Sequence, residues 1–197
     1  RTQQQPIFAQ LSVNASADVC VIGGGLAGLT TAYLLARDGA SVIVLEDGFI
    51  GSGETGRTTA HLSNVIDDRY TEIERLHGER GARLAAESHS AAISCIEDTV
   101  FKEGISCDFQ RLDGHLILSP EHEEQLLLDE QAAAHRAGLT KVEFLKQPPL
   151  SRVDRPCLRF PEQAQFHPLR YLAALANSIL ERGGQIYTQT HASDIQD

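Results

Sequence analysis

Residues 18–46, DVCVIGGGLAGLTTAYLLARDGASVIVLE, decide how this chain folds. Residues 18–22 are a short apolar run without a turn residue, the pattern of a strand buried on both faces. Gly23, Gly25 and Gly28 follow in the spacing G-x-G-x-x-G. There the first glycine permits the tight turn out of the strand, the second lets a phosphate approach the backbone, and the third lets the helix pack close to the sheet. Leu26, Leu29, Ala32, Tyr33 and Ala36 recur at three- and four-residue spacing, which predicts a helix to about Arg37, stopped by Gly39. Residues 41–45 read as a second strand. Glu46 sits at its carboxyl end, near the offset of about 20 residues at which an acid takes a ribose. Strand, glycines, helix, strand and acid arrive in the order of a dinucleotide-binding βαβ unit. Amide groups at the helix start and the positive end of its dipole suit a pyrophosphate. The charge of Glu46 repels a 2′-phosphate, which disfavours NADP.

Beyond Glu46 the loop GFIGSGETGRTTAHLSN is too rich in glycine for a regular element. A helical tract over residues 69–102 follows, interrupted near Gly78 and Gly81, with Leu84, Ser88, Ala91, Ala92, Cys95, Ile96 and Thr99 as its expected apolar stripe. In DFQRLDGHLILS, Asp113-Gly114 lies between two apolar-rich runs, a strong hairpin signal. Residues 121–136 read as a helix ended by Gly138, and KVEFLKQPPLS as a strand and a proline turn. CLRFPEQAQFHP is extended and leads into a helix over residues 168–182, with proline in its first turn. Gly183 and Gly184 end that helix, and residues 185–188 form a strand that belongs beside the one ending at Glu46. The expected domain order is an N-terminal arm at 1–15, a nucleotide-binding part at 16–76, an insertion at 77–165 and a return to the first domain at 166–197.

The net charge of −10 argues against nucleic acid and against an anionic membrane as partners. No apolar run is long enough to span a bilayer. The first sixteen residues lack the apolar centre of a secretory signal and read as a loosely attached arm. Cys20, Cys95, Cys107 and Cys157 have no metal spacing. Cys20, inside the first strand, is expected in the core, and the four thiols favour a cytoplasmic setting. His115 and His167 are isolated, and His77, His89, His122 and His135 are expected on helices, solvated. There is no methionine even at position 1, and the chain stops in a strand and its connection. Together these suggest a fragment of a longer protein.

With the βαβ unit, the loop GSGETGRTTAHL and the segment QFHPLRYLAALA on the page, the chain resembles the FAD-dependent amine and amino-acid oxidoreductases, the superfamily of D-amino-acid, glycine and sarcosine oxidases. The likeness covers nearly all of residues 16–197. It implies an α/β fold: a Rossmann-like FAD-binding domain of the glutathione-reductase type, carrying an inserted, incomplete α+β substrate domain. It implies that Gly23, Gly25, Leu26, Ala27 and Gly28 surround the FAD pyrophosphate, and that Glu46 binds the adenosine ribose with Asp47 beside it. Thr55, Gly56, Arg57, Thr58, Thr59 and Ala60 would line the pyrophosphate and the inner edge of the flavin. Independently, that loop offers backbone amides, hydroxyl donors and a guanidinium fork suited to phosphate.

His61 departs from the subgroup that tethers FAD through histidine, where tryptophan precedes it, so a noncovalent flavin neighbour is implied. The implied reaction is oxidation of the C–N bond of an amine or amino acid by hydride transfer to the flavin, with no catalytic residue or metal assigned. The G-R-T-T-A-H variant looks like a bacterial subgroup with a C-terminal Rieske iron–sulfur domain. A flavin electron-transfer module coupled to such a domain is therefore an alternative, and an NAD-dependent dehydrogenase another. The segment T-x-x-x-A-x-x-V-V-x-A-x-G that completes the site in relatives is not found, so the 197 residues alone are expected to be inactive.

Overall fold

A computed structural model describes residues 5–149 and 154–196. The chain has a mixed α/β fold that divides into two compact units. The first comprises Arg1–Ala60, Thr99–Asp108 and Phe166–Asp197; the second comprises His61–Asp98 and Phe109–Gln165.

In the first unit, β1 (Val19–Ile22), α1 (Leu26–Arg37) and β2 (Val42–Leu45) form the expected βαβ unit. Later come α4 (Pro168–Glu181) and β7 (Gln185–Tyr187). The sheet is parallel, in the order β1-β2-β7, with Leu45 opposite both Ile22 and Tyr187. Helix α1 buries Leu29, Ala32, Tyr33 and Ala36, and α4 packs on it with Tyr171, Leu172, Leu175, Ala176 and Ile179. Each large apolar side chain so enclosed stabilises the unit by about 1.5–3 kcal/mol.

Two expectations fail at the edges of this sheet. β1 is not buried on both faces: Ile22 is 53% exposed, and Cys20 is an exposed thiol, not a core residue. Among the described residues β1 lies at the edge of its sheet, with Val19 and Val21 on its less exposed side and Cys20 and Ile22 on the exposed one. The N-terminal segment is also not loose where it is described. Thr188 N–H donates to Ala9 O at 3.2 Å, Thr188 Oγ1 to Phe8 O at 2.7 Å, and Leu11 N–H to Thr190 Oγ1 at 3.0 Å.

The second unit is an antiparallel sheet. Its central strand β6 (Cys157–Gln165) pairs with β4 (Gln110–Ile117) on one side, and with β3 (His61–Leu62) and β5 (Glu143–Leu145) on the other. The core joins α2 (Tyr70–Lys102) and α3 (Glu124–Arg136) to the sheet through Tyr70, Ala82, Ala86, Leu127, Ala133, Leu158 and Phe160. α2 breaks at Gly78, where φ is 71°. Glu130, 2% exposed, caps the start of α2: its carboxylate accepts from Tyr70 N–H at 2.7 Å and from Thr71 N–H at 3.0 Å. The positive end of the helix compensates that buried charge.

Here too the sequence reading needs correction. Asp113-Gly114 is not a hairpin turn. The segment stays one strand against β6, and the irregularity appears as a register shift between Leu112 and Gly114. A side chain at Gly114 would press on Gln163 Cγ, so glycine serves a close approach rather than a reversal. The expected apolar stripe of α2 holds at Ile96 and Thr99, which are buried, but fails further up the helix: Ala82, Ala86 and Ile93 are buried there, whereas Leu84 is 55% exposed and Ser88, Ala91 and Ala92 are exposed. The glycine-rich loop contains a 3₁₀ turn (Glu54–Gly56) and strand β3. His122 precedes α3 and is not on a helix. Residues 150 and 151 of the expected proline turn lie outside the described residues.

Candidate functional site

The turn out of β1 shows why its glycines are needed. Gly23 has φ 109°, a conformation that side-chain-bearing residues rarely adopt. A Cβ on Gly28 would collide with the carbonyl oxygen of Gly23, so α1 can start close to β1 only with glycine there. Gly25 is the N-cap of α1 and has no side chain to cap it. The substitute comes from the glycine-rich loop: Leu26 N–H donates to Thr55 Oγ1 at 3.2 Å. The amides of Gly25, Ala27 and Gly28 have no hydrogen-bond partner among the described residues. Unpaired amides at a helix start are the feature that binds anions.

Glu46 leaves β2 beside this helix start. Its Oε2 accepts from Gly24 N–H at 2.5 Å and its Oε1 from Gly48 N–H at 2.8 Å. The carboxylate is half-buried and packs against the glycine loop. Each oxygen has lone pairs to spare, so ribose hydroxyls can add to these bonds. Ile50, 1% exposed, supports the loop from beneath, and Gly51 N–H donates to Gly24 O at 3.1 Å. The structure thus brings Gly23, Gly25, Leu26, Ala27, Gly28, Glu46 and Thr55 together in the first unit.

The rest of the expected set is more peripheral. Asp47 is exposed and meets His191 Nδ1 at 3.2 Å. Gly56 lies over Gly51, whose carbonyl oxygen a Cβ there would reach at 2.6 Å. Arg57 is largely exposed and pairs with Glu54 at 3.4 Å. Thr58 Oγ1 accepts from Ala60 N–H at 3.2 Å, Thr59 is exposed, and Ala60 has φ 66°. His61 lies in the second unit, on β3 opposite Gln165.

Two groups in the first unit had no signal in the sequence. Thr190 donates its N–H to Glu46 O at 2.9 Å, and Gln189 donates its N–H to Gly48 O at 3.0 Å, so the end of β7 grips both sides of the acid. Glu103 lies beyond the end of α2. It accepts from Tyr33 Oη at 2.8 Å, Ser178 Oγ at 2.9 Å and Arg182 Nη2 at 2.8 Å. Burial raises the carboxyl of Glu103, but the bonds from Tyr33 and Ser178 and the charge of Arg182 outweigh it and hold it below its ordinary value. Burial and the Glu103 bond raise the Tyr33 phenol.

Among the described residues, no group of three or more His, Cys, Asp or Glu could hold a metal ion, and no helix is long and apolar enough to cross a membrane. No disulfide links the four cysteines.

Known proteins resemble this arrangement. A protein of Bacillus subtilis (strain 168), named as a Rieske 2Fe-2S iron-sulfur protein YhfW, is 36% identical over 191 residues, covering 97% of this chain and 37% of that protein. The gamma-glutamylputrescine oxidoreductase of Escherichia coli (strain K12) is 30% identical over 195 residues, 96% of this chain and 45% of that one. The chain therefore spans less than half the length of these curated relatives. Among solved structures, glycine oxidase from Geobacillus kaustophilus superposes with a TM-score of 0.73 at 21% identity, covering 91% of this chain and 48% of that chain. The L-amino acid deaminase of Proteus myxofaciens gives a TM-score of 0.73 at 19% identity, covering 94% and 41%. These likenesses show the fold. Residues 18–197, from the first strand through the glycine loop and Glu46 to β7 and beyond, match the family of FAD dependent oxidoreductases, and the chain belongs to it.

Proposed function

We propose that the first unit is the coenzyme-binding part of an amine or amino-acid oxidase, a Rossmann-like domain of the glutathione-reductase type. The second unit is read as the beginning of an inserted substrate domain. The FAD pyrophosphate lies against Gly23, Gly25, Leu26, Ala27 and Gly28. Glu46 takes the adenosine ribose, with Asp47 beside it. Residues 55–60, with the hydroxyls of Thr55, Thr58 and Thr59 and the guanidinium of Arg57, follow the pyrophosphate towards the flavin. The observation that carries this reading is the Glu46 carboxylate held 2.5 Å from the Gly24 amide, beside a helix start whose Gly25, Ala27 and Gly28 amides are unpaired among the described residues.

When bound, the flavin supplies a two-electron acceptor for a hydride from the carbon bearing the substrate nitrogen, leaving an imine that water hydrolyses. The residues of this chain bind and orient the coenzyme. Thr55 has a second task. Its hydroxyl caps Leu26 and can donate its own proton to a phosphate oxygen, which couples the loop to the helix start.

Titration of the chain with FAD, followed by flavin fluorescence, tests the reading. Glu46→Gln removes the charge but keeps one acceptor, and is expected to weaken binding by about tenfold or more, since bonds to a charged group are worth about 1.5–3 kcal/mol. Equal affinity of the two proteins for FAD sinks the assignment of Glu46. Binding of NAD but not FAD would favour a nicotinamide dehydrogenase.

A second reading is favoured by the Bacillus relative, whose name describes an iron–sulfur protein. Here the unit belongs to an electron-transfer protein in which the coenzyme is coupled to a Rieske domain. The whole protein would then show the electron paramagnetic resonance signal of a reduced Rieske centre. The four thiols, none in a disulfide, support a reducing, cytoplasmic setting for either reading. In both, the 197 residues alone bind the coenzyme without turning over amines, and turnover of any amine in a substrate panel would overturn that.

A further inference from the structure

The segment ahead of the first strand reaches the candidate coenzyme acid through a single side chain. Thr190 Oγ1 accepts from Leu11 N–H at 3.0 Å and donates to Thr188 O at 3.0 Å, while Thr190 N–H donates to Glu46 O at 2.9 Å. Thr188, fully buried, holds the neighbouring part of the segment through Ala9 O and Phe8 O. Gln5 Nε2 adds a bond to Leu169 O at 3.0 Å. Residues 8–11 are therefore bonded to Thr188 and Thr190, in the segment that follows β7, whose strand has β2 beside it.

Between the two threonines Gln189 has φ 50°, a left-handed conformation unfavourable for a residue with a side chain. That conformation lets Gln189 N–H reach Gly48 O and Thr190 N–H reach Glu46 O in succession. A strained residue persists only where its surroundings over-determine it. On one side those surroundings are Glu46 and Gly48, and on the other they are Phe8, Ala9 and Leu11.

We propose that residues 5–11 are a strap that holds the end of β7 in its strained form and so fixes Glu46 for the ribose, with Thr190 as the positioning residue. The proposal rests on the coenzyme reading above for its consequence, but not for its geometry. A strap that only covered an edge strand would satisfy backbone groups and leave Glu46 indifferent. Here the threonine that receives the strap is also the residue that bonds to the acid's own carbonyl.

The test uses the whole chain and two readouts. Leu11→Pro removes the donated N–H and leaves position 190 intact; Thr190→Val removes the hydroxyl at nearly equal volume; Thr190→Ser restores the hydroxyl. In the coenzyme-free proteins, amide hydrogen exchange is read at Gly48, Gln189 and Thr190. It is expected to quicken several-fold in Leu11→Pro and Thr190→Val and to stay near the unaltered rate in Thr190→Ser. In FAD titrations the dissociation constant is expected to rise by about three- to tenfold in the first two variants, the effect of one hydrogen bond, and to recover in Thr190→Ser. Unchanged exchange in both Leu11→Pro and Thr190→Val overturns the strap. Faster exchange with unaltered FAD affinity overturns its link to Glu46. If the unaltered chain binds no FAD while exchange responds as expected, the coenzyme reading fails and the strap stands.

Discussion

Gly28 and Glu46 carry the strongest inferences in this molecule, because each is constrained by a backbone atom rather than by a movable side chain. At position 28 any Cβ meets the carbonyl oxygen of Gly23, which follows β1 and cannot retreat without breaking the turn. Gly28→Ala is expected to cost about 1–3 kcal/mol, the usual range for overpacking. It should weaken FAD binding further by tilting the start of α1. Urea denaturation and FAD titration of the same variant check both effects. An alanine accepted with neither change would show that the helix start has slack the glycine spacing denies. The glycine turn and the place of Glu46 at the end of β2 were legible in the sequence because they depend on neighbours within one βαβ unit. Thr190 was not, since the partner that gives it meaning lies more than a hundred residues away.

Two carboxylates decide how the helices are seated. Glu103 fastens the segment after α2 to α1 and α4 through three bonds, and is only 14% exposed at its side chain. Its carboxyl is held below the ordinary value in the folded chain, so its stabilisation is complete above the unfolded value and disappears as the pH falls through the folded one. Glu103→Gln is therefore expected to destabilise the protein by about 1–3 kcal/mol at neutral pH. That difference should begin to shrink as the pH falls through the ordinary carboxylate range and vanish below the lowered folded value, where both proteins carry an uncharged side chain. Thermal melts of the two proteins from pH 3 to pH 7 test the sign, and a penalty that grows towards acid would refute it. Glu130→Ala leaves the Tyr70 and Thr71 amides at the start of α2 without acceptors, and should cost about 1–3 kcal/mol. Faster amide exchange over the first turn of α2 locates that loss.

Sequence patterns served these elements unevenly. The ends of α1, α3 and α4 were legible from their stop signals. The stripe of α2 ahead of Ile96 and the strand through Asp113-Gly114 were misread, because period and turn chemistry are local while the segments packed against them are not.

Across the whole molecule, exposure separates the four cysteines in a way composition could not. Cys20 is exposed on the open edge strand, Cys107 and Cys157 are almost fully enclosed, and burial raises the Cys157 thiol. An alkylating reagent at neutral pH is expected to modify Cys20 first, and to reach Cys107 and Cys157 only as the chain unfolds. Mass spectrometry of the labelled peptides reads the order, and labelling of Cys157 as fast as Cys20 would contradict the packing of β6. The division into two units also follows contacts that no linker composition announces: residues 99–108, continuous with a helix of the second unit, pack with the first.

By itself the sequence determined the βαβ unit, the glycines that turn its chain, the acid that ends its second strand and the resemblance to a flavoprotein family. All of these rest on residues close in the chain, where spacing and backbone chemistry suffice. Only the tertiary structure decided that β1 is an open edge, that Asp113-Gly114 runs on within a strand, that Thr55 caps α1 and that residues 5–11 reach Glu46 through Thr190. Those facts depend on which distant segments lie side by side, and one sequence read alone does not encode that adjacency in any local pattern.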